Sequence, residues 1–512
     1  MNCMLKMNAK EENIRLDGNS VSSDGGEVEK QSTFKFADIR RSLGEDYGLY
    51  ELRLLFLTQV GYVPVAAAML LTTFIEPSTQ WCETLKKSES AWTTVKHEEF
   101  YSISVDHGFS CGASSHENKA LVSSLLMWGA LIGSFFCGFL SDKIGRKPVW
   151  LGCLMMVTIG HFALAFSNHL PWFAVCTAFG TLGFFCGGYM VTNFVILTEG
   201  FELAKSRLLA VSFNGWSLSM TVNALVANYT QYYVPFHGVF AAFGVILTVL
   251  GVTTCYESCR WLSANGRHRE AKKVALQIVA VNDKRAIDED DIEVLKWFEI
   301  LGFSEPTHTE ERRTWSTLFK SSRLLKPTVL MCYSFFASSI VSFGFYFSLD
   351  VLPGNRFWNQ GFMGVSKFAL GFTPFILNNF TSKRIIAIFS VGVCWICALL
   401  IIPVQYSNNE KWHLVYIALS LIISAGIDPT WKINHLYSAE LFPTSVRSMA
   451  RGVCNAGGRF GSVLAPMIVY LNTFNVLISN AVFAVLLFIQ LAMIMAFLPN
   501  DSDKDADEMN DE

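Results

Sequence analysis

Apolar residues in this chain fall into runs of about twenty, separated by short polar pieces. A helix needs a run of that length to cross hydrocarbon. Twelve such spans can be drawn, at 54–75, 119–140, 148–168, 172–197, 208–230, 234–255, 327–349, 358–380, 385–404, 412–436, 449–471 and 475–498. Lipid holds no water to satisfy a bare backbone, so the runs must be helical. The expectation is an all-α membrane protein with twelve transmembrane helices in two six-helix halves. Composition agrees. Charged residues make up 16% of the chain, against about 25% in soluble proteins. Mean hydropathy is +0.34. A soluble enzyme, a nucleic-acid binder, a disulfide-rich secreted module and a disordered scaffold are all excluded.

Two connecting pieces are long, 76–118 after span one and 256–326 after span six. The second divides the spans six and six. Expected units are an N-terminal segment 1–46, a first half 47–255, a loop 256–326 with short helices at 268–280 and 288–301, a second half 327–498 and an acidic tail 499–512. The first 46 residues are polar, without the apolar core of a signal peptide. The 256–326 piece carries thirteen Lys and Arg, and the links 141–147 and 199–207 add five more. The piece 76–118 has three Lys against seven acids. The positive-inside rule therefore puts both termini and 256–326 in the cytoplasm, and 76–118 on the outer side. Cys82 and Cys111 are the only cysteines expected there. An oxidising environment favours a disulfide between them, the alternative being two free thiols. Cys394 and Cys397 sit inside a span, with nothing nearby to complete a metal site, and read as packing.

One local pattern is specific: Gly138-Phe139-Leu140-Ser141-Asp142-Lys143-Ile144-Gly145-Arg146-Lys147, between spans two and three. Gly138 would let a helix end approach its neighbour closely, Gly145 would supply the turn, and Asp142 would meet a helix N-terminus or a basic side chain. Two further patterns are Glu257-Ser258-Cys259-Arg260-Trp261-Leu262 after span six, and Glu440-Leu441-Phe442-Pro443-Thr444 with Arg447 before span eleven. The first resembles the signature loop of the major facilitator superfamily. The other two resemble marks of its organic cation, organic anion and carnitine transporter family, which usually has Pro where Cys259 stands. The resemblance covers about 40–500. It implies two bundles around a central cavity, rocking about a fixed site. It also implies acid–base contacts at the inner helix ends that open and close in each cycle. Asp142 and Arg146 would form one network; Glu199, Glu440 and Arg447 would belong to others. The alternative is that these charges only anchor helix ends.

Ionisable groups inside spans are costly, and each is a functional candidate. Four stand out: Lys367, Asp428, Lys432 and Arg459. Asp428 and Lys432 are four apart on one helix face and could neutralise each other. The family's cation carriers typically have an acid where Arg459 stands, and tend to have acids at Lys367 and Lys432. Its anion carriers typically have an arginine at Arg459, with a span-eight lysine one turn beyond Lys367. Two basic groups in one cavity repel a cation and hold a carboxylate or sulfonate, an arginine bidentately. The competing readings are that Arg459 or Lys367 pairs with an acid or a carbonyl, and that Lys432 snorkels. Phe213, Asn214 and Trp216 in span five, and Phe335, Phe336, Phe343, Phe345 and Tyr346 in span seven, could line the same cavity or simply pack.

The expected function is transport of small amphiphilic organic ions across the plasma membrane by alternating access, with organic anions favoured. An exchanged dicarboxylate is one candidate partner. The alternatives are a cation or zwitterion carrier using Asp428, and a membrane protein that binds its ligand without moving it. No nucleotide loop, HExxH or metal cluster occurs, and no cofactor is expected. His161 reads as a lone packing histidine, and no paired intramembrane histidines are expected.

Overall fold

The computed structural model describes residues 48–77, 82, 100–109, 111–201, 209–283, 322–349, 352–378, 380–407, 409–442 and 444–498; the side chains at 322–323, 439–440 and 444–449 are outside this set. The N-terminal segment 1–46, the expected helix 288–301 and the tail from 499 lie outside it. Among the described residues nine helices are long and apolar enough to cross a membrane. They correspond to spans one (Leu49–Thr73), two (Ala113–Ile144), three (Arg146–Ala165), four (Trp172–Glu199), six (Tyr233–Thr254), seven (Leu324–Phe347), nine (Lys383–Ser407), ten (Glu410–Ser438) and twelve (Ile478–Phe497). The other three are helical too. Span five is Gly215–Thr230, span eight runs through Arg356–Gly371 and Thr373–Leu377, and span eleven is Thr444–Tyr470. Span eleven carries three arginines, which explains why hydropathy alone passes over it. The inner face is named here for the side of the 141–147 link, the outer face for the side of Cys82 and Cys111.

Span one is not one smooth rod. It runs as Leu49–Val60 and then Tyr62–Leu70, with Gly61 between. Pro64 has no N–H to give to the Val60 carbonyl. The Tyr189 hydroxyl occupies the place where a side chain on Gly61 would stand. Spans two and four are joined more tightly. Gly129 and Gly133 face the carbonyls of Gly180 and Phe184, while Gly183 and Gly187 face those of Leu126 and Ala130. A Cβ at any of the four would fall inside the van der Waals envelope of a backbone oxygen. Each helix contributes a small-xxx-small pair, which lets two membrane helices touch backbone to backbone. Ser134 adds a hydrogen bond across the seam, its hydroxyl donating to the Gly187 carbonyl at 3.3 Å. Spans seven and eleven use the same device, with Gly457 against the Cys332 carbonyl and Gly461 against that of Phe336.

The reading of His161 as a lone histidine is corrected. Its Nδ1 lies 2.8 Å from Nδ1 of His237 in span six, and its Nε2 lies 2.8 Å from the Pro64 carbonyl. A carbonyl can only accept, so His161 carries its proton on Nε2, and Nδ1 accepts from His237. The two buried rings stitch spans one, three and six. The partner was hidden because it lies 76 residues away in sequence.

On the outer face Cys82 and Cys111 are joined by a disulfide with Cα atoms 5.8 Å apart. A one-turn helix, Ile103–Asp106, lies between the two cysteines in sequence. Tyr101 and Tyr233 both donate to the Asp106 carboxylate, at 3.2 and 2.9 Å. Burial and the Asp106 charge push the Tyr101 phenol up to about 12. On the inner face the expected helix at 268–280 is present as His268–Asp283. Its Asn282 bonds the Tyr50 N–H at 2.8 Å and the Glu51 carboxylate at 3.0 Å. Asn282 thereby caps the start of span one from 232 residues away. Cys394 and Cys397 are buried free thiols inside span nine.

Candidate transport site between the two halves

Arg459 stands about three turns before the end of span eleven, beside the small residues Gly457 and Gly458 that bring this helix onto span seven. It is partly exposed. Its Nη1 reaches across to the other half and donates to the Met190 sulfur of span four at 3.5 Å. A thioether is a weak acceptor. The Arg459 charge also acts on the Tyr62 phenol of span one. No described carboxylate lies within ion-pair distance of this guanidinium, and none of its nitrogens is both sealed from solvent and unbonded. A planar five-donor fork thus faces the space between the halves with most of its donors open.

Lys367 is placed differently. The residue is 1% exposed and lies inside the second half. It donates to the Ser424 carbonyl at 2.7 Å and the Ser342 hydroxyl at 3.2 Å, and sits 5.2 Å above the Tyr346 ring. Those three partners use the donors of an ammonium. Lys367 follows the alternative reading, a lysine satisfied by a carbonyl. Asp428 and Lys432 share a face, as their spacing requires, but do not form an ion pair with each other. Asp428 accepts from the Asn214 amide at 2.9 Å, and Lys432 donates to the Val211 carbonyl at 2.7 Å. Both partners belong to the inner end of span five, so this pair bridges the halves, while the Asp428 charge still acts on Lys432. Asn214 is accordingly not a free substrate ligand. It caps the helix Gly215–Thr230 and holds Asp428.

The aromatic candidates separate into two groups. Trp216 meets Tyr62 at 6.1 Å and Phe343 at 6.4 Å between ring centres, and Phe343 meets Tyr346 at 5.5 Å. These rings form a continuous wall from the neighbourhood of Arg459 toward Lys367. Phe335 instead packs with Trp431 and His435, and His435 stacks on Phe194 of span four at 4.8 Å. Phe213 closes on Phe368 and Phe372, Phe336 on Phe460, and Phe345 on Phe483. Those are packing contacts.

The inner loop gathers more charge than expected into one network. Arg146 pairs with Asp142 one turn earlier and with Glu199 of span four at 3.2 Å. Glu257 accepts from the backbone N–H groups of Arg146, Lys147 and Ser258 at 2.9, 3.1 and 2.9 Å. A carboxylate there satisfies orphan donors at the start of span three and meets the positive end of its dipole. Gly145 has φ +121°, and the Glu257 carboxylate lies where its Cβ would be, so the turn admits only glycine. Gly138 does less than expected. A Cβ there would make an ordinary 3.7 Å contact with Val191. Arg260 lies half-buried in the short helix Cys259–Ala264. The side chains of Glu440 and Arg447 lie outside the described residues. Glu257→Ala is expected to lower stability by about 1–2 kcal/mol, the scale of a lost anionic cap. The thermal midpoint of the purified protein in detergent measures this, and an unchanged midpoint would contradict the cap.

The outer face holds a second set of bridges that sequence reasoning missed. Arg356 at the start of span eight donates to the Glu76 carbonyl at 2.6 Å, between the rings of Phe74 and Phe357. Thr73 bonds Gln360 at 3.1 Å. The Glu76 carboxylate meets His116 at 2.5 Å and Lys119 at 3.7 Å. The halves are therefore joined by polar contacts near both faces. The signal available was Arg356 itself, a cation in the first turn of a span.

Residues 100–466 match the family model of the Major Facilitator Superfamily. The chain is 26% identical over 458 residues to Organic cation/carnitine transporter 4 of Arabidopsis thaliana, across 85% of this chain and 83% of the relative. It is 29% identical over 361 residues to Solute carrier family 22 member 16 of Bos taurus, across 69% of this chain and 60% of that relative. Uncharacterized protein F23F12.3 of Caenorhabditis elegans is 25% identical over 440 residues, with 83% of each chain covered. Among solved structures, the inward-open xylose transporter XylE from E. coli superposes with a TM-score of 0.63 at 14% identity, over 88% of this chain and 97% of that one. That likeness establishes the fold. A multi-pass chain with these helices and relatives is a transporter and not an enzyme, and it belongs to the major facilitator superfamily, on the side of solute carrier family 22 and the organic cation/carnitine transporters.

Proposed function

We propose that this transporter moves small organic anions across the plasma membrane by alternating access, with both termini in the cytoplasm. The observation that carries the reading is the open Arg459 guanidinium between the halves, without a described acid to neutralise it. The surroundings add to it. Arg459, Lys367 and Lys432 stand well inside the described spans, with Asp428 as the one acid comparably placed. At an effective dielectric of about 20, a unit charge ~4 Å away contributes ~4 kcal/mol. Such a field repels a cation and attracts a carboxylate. A cation or zwitterion carrier would rely on Asp428, which Asn214 already holds.

Uptake of labelled benzoate and labelled tetraethylammonium, measured side by side in cells expressing the full chain, tests this reading. Saturable benzoate uptake without tetraethylammonium uptake is the expected result. The reverse pattern would overturn it and point to Asp428.

A further inference from the structure

Span five breaks at Phe213 and Asn214, just before the helix Gly215–Thr230. In an unbroken helix the Gly215 N–H would meet the Val211 carbonyl. That N–H donates instead to the Gln59 side chain of span one at 2.8 Å. The Val211 carbonyl takes the Lys432 ammonium of span ten at 2.7 Å. Asn214 is oriented by its own cap. Its Oδ1 accepts from the Ser217 N–H at 3.4 Å, which leaves Nδ2 to donate to Asp428 at 2.9 Å. Span eight closes over the contact: a Cβ on Gly371 would lie 3.2 Å from Asp428 Oδ2 and 3.4 Å from the Asn214 Cβ. Asp428 and Lys432 are each 8% exposed. The break is thus a two-point socket on the first half, filled by a carboxylate and an ammonium of the second.

We propose that Asp428 and Lys432 are positioning residues of the transport cycle, a latch between spans five and ten whose two charges keep the closed inner end weak enough to reopen. This step rests on the alternating-access part of the reading above and is independent of the sign of the substrate. Burying an ion pair gains little over neutral groups of the same shape, because both ions are stripped of water. Removing one partner is far worse, since it leaves the other uncompensated. The two groups stand one turn apart, and the Asp428 charge acts on Lys432, as does the Lys367 ammonium with the opposite sign. Without Asp428, two like charges would face each other in the closed state. When the inner ends part, water reaches both groups and the dehydration penalty disappears. The hydrogen bonds to Asn214 and Val211 therefore set the register of the closed state, while the charges oppose it. A pair of neutral amides would keep both bonds without the dehydration and would hold the inner end shut.

That argument gives effects of opposite sign for single and double substitutions. The full chain in lipid nanodiscs is spin-labelled site-specifically at Lys143, in the link after span two, and at Thr381, in the link after span eight. Pulsed electron paramagnetic resonance then reads the short, closed and the long, open populations across the inner mouth. Asp428→Asn and Lys432→Gln should each raise the open-to-closed ratio at least about fivefold, because each strands one buried charge. The double variant should lie at least about threefold below the wild type, because both bonds survive and no ion is dehydrated. If a single variant fails to fold, the double variant against the wild type still decides. A double variant at or above the wild-type ratio would overturn the latch while leaving alternating access intact. So would wild-type ratios in all variants with two distances present. One fixed distance in the wild type and in every variant would overturn alternating access, and the latch with it.

Discussion

Arg459→Gln is expected to lower organic-anion uptake by about 100-fold or more at equal amounts of protein in the membrane. The substitution keeps the stem of the side chain as far as Cδ and some hydrogen bonding but shortens it and removes the charge. Each factor of ten corresponds to about 1.4 kcal/mol, and a close charge in this environment contributes ~4 kcal/mol. The expected loss is therefore conservative. Arg459→Lys retains the charge as a point and loses the planar fork, so it should fall between, with about tenfold reduced uptake. Because no described acid relies on Arg459, neither change leaves a buried partner uncompensated, and the protein should remain folded. Initial uptake rates normalised to surface expression measure the effect. Wild-type rates in Arg459→Gln would remove Arg459 from the site.

The second large effect concerns assembly. Gly133→Val should abolish the folded protein in detergent, and Gly183→Val should do the same. Their Cβ atoms would coincide with the carbonyl groups of Phe184 and Leu126, which belong to helix backbones and cannot rotate aside. Overpacking a core already costs about 1–3 kcal/mol where side chains can shift, and here they cannot. Gly152→Ala is the control, since a Cβ there meets nothing within 4 Å. Size-exclusion chromatography of the three variants gives the comparison. A monodisperse Gly133→Val peak at the wild-type position would show that spans two and four do not touch as described.

The helices were legible because hydrocarbon imposes a length on them, and most span ends fall within a few residues of the structure. Span seven begins before 327 because Leu324 and Pro327 continue its apolar face. The signature loop was legible as a charged turn, but its reach was not. Glu199 and Glu257 join Arg146 from 53 and 111 residues away, a proximity only packing creates. The same reason hid His237 from His161 and made Asp428 and Lys432 look like partners of each other alone. Helical spacing told that they share a face. It could not tell that span five presents Asn214 and Val211 to that face. Of the central cations, periodicity marked all three as candidates without showing which is open. The two spaced glycine pairs of spans two and four were visible in the sequence as small-xxx-small motifs and could have been read as a contact.

Two rods separated by a layer of side chains can creep past one another as rotamers change; two rods in direct backbone contact cannot. Spans two and four are of the second kind. For displacements of a few ångströms they act as a single stiff beam. Deformation in that half must then concentrate where stiffness is low, and span one offers such a place at the Gly61–Pro64 break, next to Tyr62. A spin-label pair placed across spans two and four should keep one narrow distance distribution throughout the transport cycle. A pair spanning Gly61 should broaden.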